Sequence, residues 1–131
     1  MPVDVQLSEN RRYLVYTITD PLKIEELMEA YQQEKALRDS IPYTLHSITD
    51  MTQVKNIPAS WLTAKAGPGL THPRSGMMLF VGLSPGLRMI INVIMQVMRF
   101  TRFKSFNTRP EADAFMQTLI ADEPQNATNG A

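Results

Sequence analysis

The sequence predicts a single α/β domain with a mixed, mostly parallel five-stranded sheet and about four helices, in the order β-β-α-β-α-β-α-β-α. Two observations carry this prediction. Residues 77–81 form an apolar run without polar alternation, which is typical of a central strand covered on both faces. Strand-like and helix-like segments also alternate along the chain after an initial hairpin, and this order favours parallel strands joined by right-handed helical crossovers.

The chain begins with two strand-like segments and an amphipathic segment. Residues 3–7 alternate apolar and polar side chains, residues 8–10 suit a turn, and residues 12–19 are rich in β-branched and aromatic side chains. Asp20 and Pro21 then predict the N-cap and the first residue of a helix. We expect this helix to turn toward the sheet a stripe with helical spacing that consists of Ile24, Leu27, Met28 and Tyr31.

The middle of the chain contains a predicted third strand and a predicted short helix. Residues 40–42 break the chain, and the strand follows at about residues 43–49. After a loop, residues 58–66 predict the short helix. The segment Gly67-Pro68-Gly69 predicts its end, because glycine suits a left-handed cap and proline cannot donate a backbone hydrogen bond.

The central strand runs directly into an unusually apolar helix. Gly82 loosens the backbone after residues 77–81, Ser84 predicts an N-cap, and Pro85 suits the first helical position. Within helix 86–99 the polar side chains form only a narrow stripe of Arg88, Asn92, Gln96 and Arg99. The apolar surface is therefore wider than a helix packed on a sheet requires. We expect something besides the sheet to cover it.

The last elements are a short strand and a capped helix. Apolar and polar side chains alternate in residues 100–106 well enough to predict the fifth strand. Thr108 and Glu111 form a capping box at the start of the final helix. Its buried stripe is predicted to be Ala112, Phe115, Met116 and Leu119. The domain is thus expected to span residues 1–121, and the polar residues 122–131 are expected to form a disordered tail.

Length and composition indicate the class of protein. The chain has 131 residues and no cysteine. A chain of this size buries roughly two-thirds of its surface on folding, and the missing cysteines exclude disulfides, thiol nucleophiles and cysteine-ligated metals. The N-terminal segment MPVDVQLSENRR has no apolar run of signal-peptide length, and the run between Arg88 and Arg99 is far shorter than a membrane-spanning helix. We therefore expect a soluble, cytoplasmic protein without a transmembrane segment.

Charge is unevenly distributed, although the chain has 13 basic and 13 acidic residues. Residues 67–110 contain no acidic side chain, and their basic side chains are Arg74, Arg88, Arg99, Arg102, Lys104 and Arg109. These charges form either a solvated outer face, balanced by the acidic first helix, or a patch that binds an anion or a membrane surface. Nucleic acid is not favoured as a partner, because the chain has no overall basic excess.

Four segments together carry a family resemblance over about residues 3–121. They are the N-terminal hairpin, HSITDMT at 46–52, GMMLFVGLSPGLRMI at 76–90 and RFKSFNTRPEADAFMQTL at 102–119. In their order along the chain they resemble the SpoIIAA-like proteins of the STAS superfamily, whose fold is shared by anti-sigma-factor antagonists and by cytosolic domains of sulfate transporters. The resemblance implies a STAS-like fold.

The same resemblance implies one modification site. In the phosphorylatable members of the superfamily, a strand-ending aspartate is followed by an Asp-Ser-Ser triplet at a helix start, where a partner kinase phosphorylates a serine. Asp50 stands at the strand-ending position, and Pro58-Ala59-Ser60 matches the triplet. Only the serine is retained, so Ser60 is the phosphorylation candidate without its acidic neighbour. The alternative is that Ser60 is an ordinary first-turn helix residue.

Sequence signatures of catalysis are missing. The chain has no glycine-rich phosphate loop, no histidine pair at metal spacing and no nucleophile elbow, so we predict no catalytic residues, no metal and no cofactor. His46 and His72 are interpreted as structural or solvated. Candidates for binding a ligand or an anion at the carboxyl edge of the sheet are Asp50, Ser84, Gly86 and Arg88. The alternative is that such residues only cap turns and helices.

The wide apolar surface of helix 86–99 favours a non-enzymatic interaction or regulatory module that forms a homodimer or binds a partner protein. The interface candidates are Met89, Ile90, Ile94, Val97 and Met98. The alternative is a carrier of a small apolar ligand or lipid in a pocket between helix and sheet, or a reversible binder of membrane surfaces. Core packing is the simpler interpretation of the methionines.

Overall fold

A computed structural model describes residues 3–21, 23–55 and 67–122. Over these ranges the chain forms a five-stranded mixed sheet and four helices, which confirms the predicted fold class. In chain order the elements are β1 (Val3–Leu7), β2 (Tyr13–Thr19), α1 (Ile24–Ser40), β3 (Leu45–Gln53), α2 (Pro68–Thr71), β4 (Ser75–Val81), α3 (Pro85–Val97), β5 (Phe103–Phe106) and α4 (Arg109–Ala121).

The strands lie side by side in the order in which they follow one another in the chain. β1 pairs with β2 in an antiparallel register that runs from Val3 opposite Ile18 to Leu7 opposite Leu14, as expected of the predicted hairpin. The pairs β2–β3, β3–β4 and β4–β5 are all parallel. The carboxyl ends of four strands therefore meet at one edge of the sheet.

The two faces of the sheet have separate cores. On the face covered by α1 and α3, Tyr16 and Phe80 belong to a buried cluster with Leu87 and Ile91 of α3. On the opposite face, Ile48, Leu79 and Val81 pack against Ala112 and Met116 of α4. Each fully buried aliphatic side chain contributes about 1.5 to 3 kcal/mol. β4 is thus an interior strand, between β3 and β5, that is covered on both faces as its apolar run predicts.

The start of α1 differs from the prediction. The helix begins at Ile24 with Lys23 as its N-cap, so the prediction that Asp20 caps the helix and Pro21 begins it is wrong. The Asp20–Pro21 peptide bond is cis. Asp20 Oδ2 accepts a hydrogen bond of 2.8 Å from the backbone amide of Lys55. Its carboxylate therefore stabilises the segment after β3 and not the first turn of the helix.

The segment Gly67-Pro68-Gly69 also behaves differently from the prediction. Gly67 is the N-cap of α2, so these residues begin a helical turn and do not end a helix. A proline at the first position of a turn costs no hydrogen bond, which explains why the same sequence suits a start. The predicted helix at residues 58–66 lies outside the described residues, as does the predicted tail of residues 122–131 except for Asp122, which is the C-cap of α4.

Three strands and one helix have bounds that differ from the predicted ones. β3 extends to Gln53, which pairs with Thr19 of β2. β4 begins at Ser75, two residues before the apolar run, whereas β5 begins only at Phe103. α3 ends at Val97, and α4 has the predicted cap at Thr108. Pairing with neighbouring strands sets the strand ends, and that pairing is not visible in local sequence.

No helix in the described ranges has both the length and the apolar character that crossing a membrane requires.

Candidate functional site

A cavity of about 390 Å³ lies between the sheet and the helices that cover its first face. Residues of β2, β3, β4, α1 and α2 line it, and α3 contributes the largest share of its wall. That share consists of Ile91, Val93, Ile94, Met95 and Val97, and Met98, the C-cap of α3, adds to it. We refer to this space as the cavity. Its walls are mainly apolar, as is typical of sites for small molecules.

Short side chains at the centre of the sheet leave room for the cavity. Side chains alternate between the faces of a strand, so Ser47 and Thr49 of β3 both face the cavity. Thr49 lies between Tyr16 of β2 and Phe80 of β4, which are its register partners on the two sides. Thr49 therefore places a small side chain between two large aromatic rings. The space that a larger side chain at position 49 would fill is part of the cavity.

Two glycines let the chain at α2 approach the rim of the cavity. A Cβ atom at Gly67 would lie 2.6 Å from ring atoms of Tyr31, and a Cβ atom at Gly69 would lie 3.2 Å from Sδ of Met78. The first separation is too short for any larger side chain. Gly67 thus permits a contact between α2 and α1 that a larger residue would push apart.

A buried polar network lies beside the apolar wall. Tyr16 donates a hydrogen bond of 2.6 Å to Oε1 of Glu34, and Nε of Arg38 donates one of 2.7 Å to Oε2 of the same carboxylate. Nη1 of Arg38 donates to the carbonyl oxygen of Leu45 at 2.8 Å. Glu34 and Arg38 are 2% and 1% exposed. The carboxylate therefore has its charge balanced and both oxygens hydrogen-bonded.

Burial is the main reason why the pKa of the Tyr16 hydroxyl is raised, and the negative charge of Glu34 is the next. The hydroxyl therefore stays protonated and donates to the carboxylate. This matters for the cavity, because Tyr16 and Glu34 both line it. Neither has its strongest hydrogen-bonding atom free for a bound molecule, since each already uses it for the other.

The cavity opens beside exposed residues of α3. Val97 and Val93, which line it, are 75% and 50% exposed, and Met98 is 41% exposed. Met89 is 68% exposed on the same helix but does not line the cavity. We call Met89, Val93, Val97 and Met98 the outer α3 surface. It is the unusually wide apolar surface that the sequence predicts.

The five interface candidates do not share one environment. Met89, Val97 and Met98 belong to the outer α3 surface, whereas Ile90 and Ile94 are half-buried. Ile94 also lines the cavity. The predicted interface thus divides into an exposed set and a set that faces inward.

The ligand and anion candidates are not brought together. Oδ1 of Asp50 accepts from the amide and the hydroxyl of Thr52, and Oδ2 lies 3.8 Å from Nη1 of Arg109 on the α4 face. Ser84 instead begins α3, where its Oγ accepts from the amide of Leu87 at 3.3 Å. Both side chains therefore stabilise local structure, which is the alternative interpretation of them.

Gly86 and Arg88 lie in the first turns of α3, and both are exposed. In the ranges that the structure covers, no hydrogen bond or ion pair joins the side chain of Arg88 to Asp50 or to Ser84, and Gly86 has no side chain that could bind. The four candidates therefore do not form one anion site.

Both histidines have structural contacts. Nδ1 of His46 accepts from the amide of Met77 at 2.9 Å. Nδ1 of His72 accepts from the amide of Arg74 at 3.0 Å, and its Nε2 lies 2.9 Å from Oδ1 of Asp39. The phosphorylation candidate Ser60 lies outside the described residues. Within the described ranges, no three His, Cys, Asp or Glu side chains are grouped so as to hold a metal ion.

The basic residues between positions 67 and 110 have several different roles. Arg74 donates to the carbonyl oxygens of Ile41 and Arg38 and so stabilises the end of α1. Arg109 pairs with Asp113 at 2.9 Å, and Arg102 lies 4.7 Å from the ring centre of Phe100. Arg88 and Arg99 are exposed. The region is therefore not one continuous anion-binding patch.

Comparison of the chain with protein-family models, with curated proteins and with solved structures found no match.

Sequence analysis did not predict the polar side chains of the cavity. Local sequence identifies Tyr16, Ser47 and Thr49 only as strand residues and Glu34 only as one charge of an acidic helix, and it does not predict that Glu34 pairs with Arg38. Two signals were present. A serine and a threonine two positions apart in an apolar strand share a face, and an acid four residues before an arginine can form a pair along a helix.

Proposed function

We propose that the protein is a non-enzymatic binding protein for a small apolar molecule, which it holds in the cavity between the sheet and α3. The observation that carries the proposal is the volume of about 390 Å³, because sites for small molecules typically have about 300 to 1,000 Å³ and mainly apolar walls. The exposed apolar residues at its opening offer an entry route.

The proposal includes three expectations that rest on the sequence. Membership of the SpoIIAA-like branch of the STAS superfamily is supported by the order of elements and by the strand-to-helix junction at residues 76–90. Phosphorylation of Ser60 is supported only by its position in the resemblance. A cytoplasmic location is supported by the absence of cysteine.

Binding of a neutral apolar fluorophore, N-phenyl-1-naphthylamine, tests the proposal. We expect saturable binding, and native mass spectrometry should show one bound molecule per chain. Ile94→Trp should weaken binding at least about tenfold, because the larger side chain fills part of the cavity that Ile94 lines. Met89→Trp is the matched control on the same helix, since Met89 does not line the cavity. Equal effects of the two variants would contradict the proposal.

Self-association through the outer α3 surface is the second candidate function. The 68% and 75% exposure of Met89 and Val97 supports it, because exposed apolar patches commonly mark contacts between proteins. Analytical ultracentrifugation should then show a dimer that becomes a monomer in the double variant Met89→Glu, Val97→Glu. A wild-type monomer at every concentration tested would contradict this candidate and leave the cavity proposal intact.

The outer α3 surface lies on a helix that also carries exposed Arg88, with exposed Arg99 just after it. This combination also suits reversible binding to a membrane surface. Cosedimentation with anionic vesicles tests that alternative.

A further inference from the structure

We propose that the cavity selects neutral molecules with a hydroxyl head group and an apolar chain, and that it rejects the corresponding anions, with Ser47 and Thr49 binding the head group. This inference rests on the proposed function and specifies its ligand class. Three observations lead to it: two hydroxyls on the cavity wall that have no hydrogen-bond partner among the described residues, a carboxylate that is already hydrogen-bonded, and the types of side chain that line the cavity.

Among the described side chains that line the cavity, the hydroxyls of Ser47 and Thr49 have unused hydrogen-bonding capacity. Ser47 is 2% exposed and Thr49 is 8% exposed, and both line the cavity. Neither side chain forms a hydrogen bond with any other residue that the structure describes. A hydroxyl can donate one hydrogen bond and accept two, and burying one without a partner is unfavourable. A head group that both donates and accepts matches the unused capacity of either hydroxyl.

The wall of the cavity does not favour an anionic head group, because it offers no cation to pair with one. Among its described lining residues Glu34 is the only one that is acidic or basic. Arg38, which neutralises Glu34, does not itself line the cavity. A carboxylate or phosphate there would therefore find no cation on the wall to pair with. Transfer of an ion into such surroundings is strongly unfavourable unless the ion is paired. A neutral head group avoids this cost.

A cationic head group is not favoured either. The carboxylate of Glu34 already accepts from Nε of Arg38 at 2.7 Å and from the hydroxyl of Tyr16 at 2.6 Å. Arg38 is held in place by a further bond to the carbonyl oxygen of Leu45. An ammonium group would have to displace one of these partners before it could pair with the acid.

The size of the cavity limits the apolar part of the ligand. Its 390 Å³ correspond to about a dozen water molecules at ~30 Å³ each. An alcohol with a chain of decyl length is of comparable size. The matched pair 1-decanol and decanoate differs in head-group charge while the apolar chain is nearly the same, so it separates the two properties.

Displacement of bound N-phenyl-1-naphthylamine at pH 8, where decanoate is ionised, tests the inference. We expect 1-decanol to bind at least about tenfold more tightly than decanoate. Ser47→Ala and Thr49→Val should each weaken 1-decanol binding by about threefold to tenfold, while binding of the fluorophore is retained. Thr17→Val is the matched control, because Thr17 is an exposed β-strand threonine that does not line the cavity.

The outcomes separate the inference from the proposed function. Decanoate binding as tightly as 1-decanol, or hydroxyl-removing variants that keep the full preference for the alcohol, would overturn the inference while the cavity proposal stands. Failure of the wild-type protein to bind the fluorophore and both ligands would overturn the proposed function as well. Should a variant fail to fold, the ratio of the wild-type affinities for 1-decanol and decanoate still tests whether the cavity prefers the neutral head group.

Discussion

Tyr16 of β2 and Glu34 of α1 are joined across 18 residues of chain by a buried hydrogen bond of 2.6 Å. Arg38, one helical turn after Glu34, donates a hydrogen bond from Nε to the other oxygen of the same carboxylate. The sheet and its covering helix are therefore tied together beside the cavity by a polar contact. Such contacts are sensitive to the loss of any one member, because the remaining groups stay buried without partners.

Glu34→Gln should destabilise the protein strongly. The substitution keeps the shape of the side chain but leaves the guanidinium of Arg38 buried without a counter-charge, which typically costs about 3 to 5 kcal/mol. The free energy of unfolding in urea measures the effect. Lys35→Gln is the matched control, because Lys35 and Asp39 form an ion pair with the same i, i+4 spacing at 67% and 51% exposure.

The control is expected to change stability far less, because exposed ion pairs are screened by water. Similar losses for Glu34→Gln and Lys35→Gln would contradict the assignment of Glu34 and Arg38 as a buried charge pair.

Alkaline pH should destabilise the protein through Tyr16. Burial, followed by the charge of Glu34, raises the pKa of its hydroxyl in the folded state, whereas the unfolded chain loses this proton near pH 10. The stabilising contribution is therefore fully present below about pH 10 and is lost as the pH rises further, by up to about 1.4 kcal/mol per pH unit. Urea unfolding between pH 9 and pH 11 measures the slope.

Tyr16→Phe provides the reference for that slope. The variant should be less stable near pH 7, because Oε1 of Glu34 loses its partner, and its stability should fall less steeply above pH 10. An unchanged alkaline slope would assign the effect to other groups, such as Tyr13, whose pKa burial also raises.

Local rules predicted those parts of the fold that local interactions determine. Ser84 and Thr108 are N-caps in the structure as predicted, because each accepts from an amide only three residues ahead. Asp20 has an equally suitable side chain for a cap, yet its carboxylate binds the amide of Lys55, 35 residues away. The sequence around Asp20 contains no sign of that partner.

The cavity could not be predicted because it depends on register between strands. In the sequence alone, Ser47 and Thr49 are indistinguishable from other strand residues. Only the register shows that Tyr16 and Phe80 flank Thr49. Glu34 likewise reads as one more charge on an acidic helix, and only contact with Tyr16 explains why it is buried. The sequence predicts more apolar surface on helix 86–99 than packing on the sheet requires. Whether that surface lines a cavity or contacts a partner depends on tertiary structure.

Thr108→Ala and Thr118→Ala should change stability in opposite directions, although both lie at α4. Thr108 caps the helix by accepting from the amide of Glu111 and donates to its carboxylate at 2.8 Å, so its loss should cost about 1 kcal/mol. Thr118 is an exposed interior residue whose hydroxyl bonds only the carbonyl oxygen of Ala114. Alanine is the better helix former there. Urea unfolding that gave both variants equal losses would contradict the assigned cap.

Gly82→Ala and Gly86→Ala form a second pair with opposite expected effects. Gly82 has a φ of 75°, and a Cβ atom there would lie 2.8 Å from Cα of Thr52, which is backbone and cannot swing aside. We expect a loss of at least about 2 kcal/mol from backbone conformation and crowding together. A Cβ atom at Gly86, four residues further along the chain, would meet nothing within 4 Å.

Gly86→Ala should therefore gain about 0.4 to 1 kcal/mol, because alanine restricts the unfolded chain and favours the helical conformation of α3. Thermal and urea unfolding of both variants measure the difference. Equal stabilities would mean that the strand-to-helix turn at Gly82 does not need a left-handed residue. Since that turn connects β4, whose Met78 and Phe80 line one side of the cavity, to α3 on the other, Gly82→Ala should also weaken binding of N-phenyl-1-naphthylamine, while Gly86→Ala should leave it unchanged.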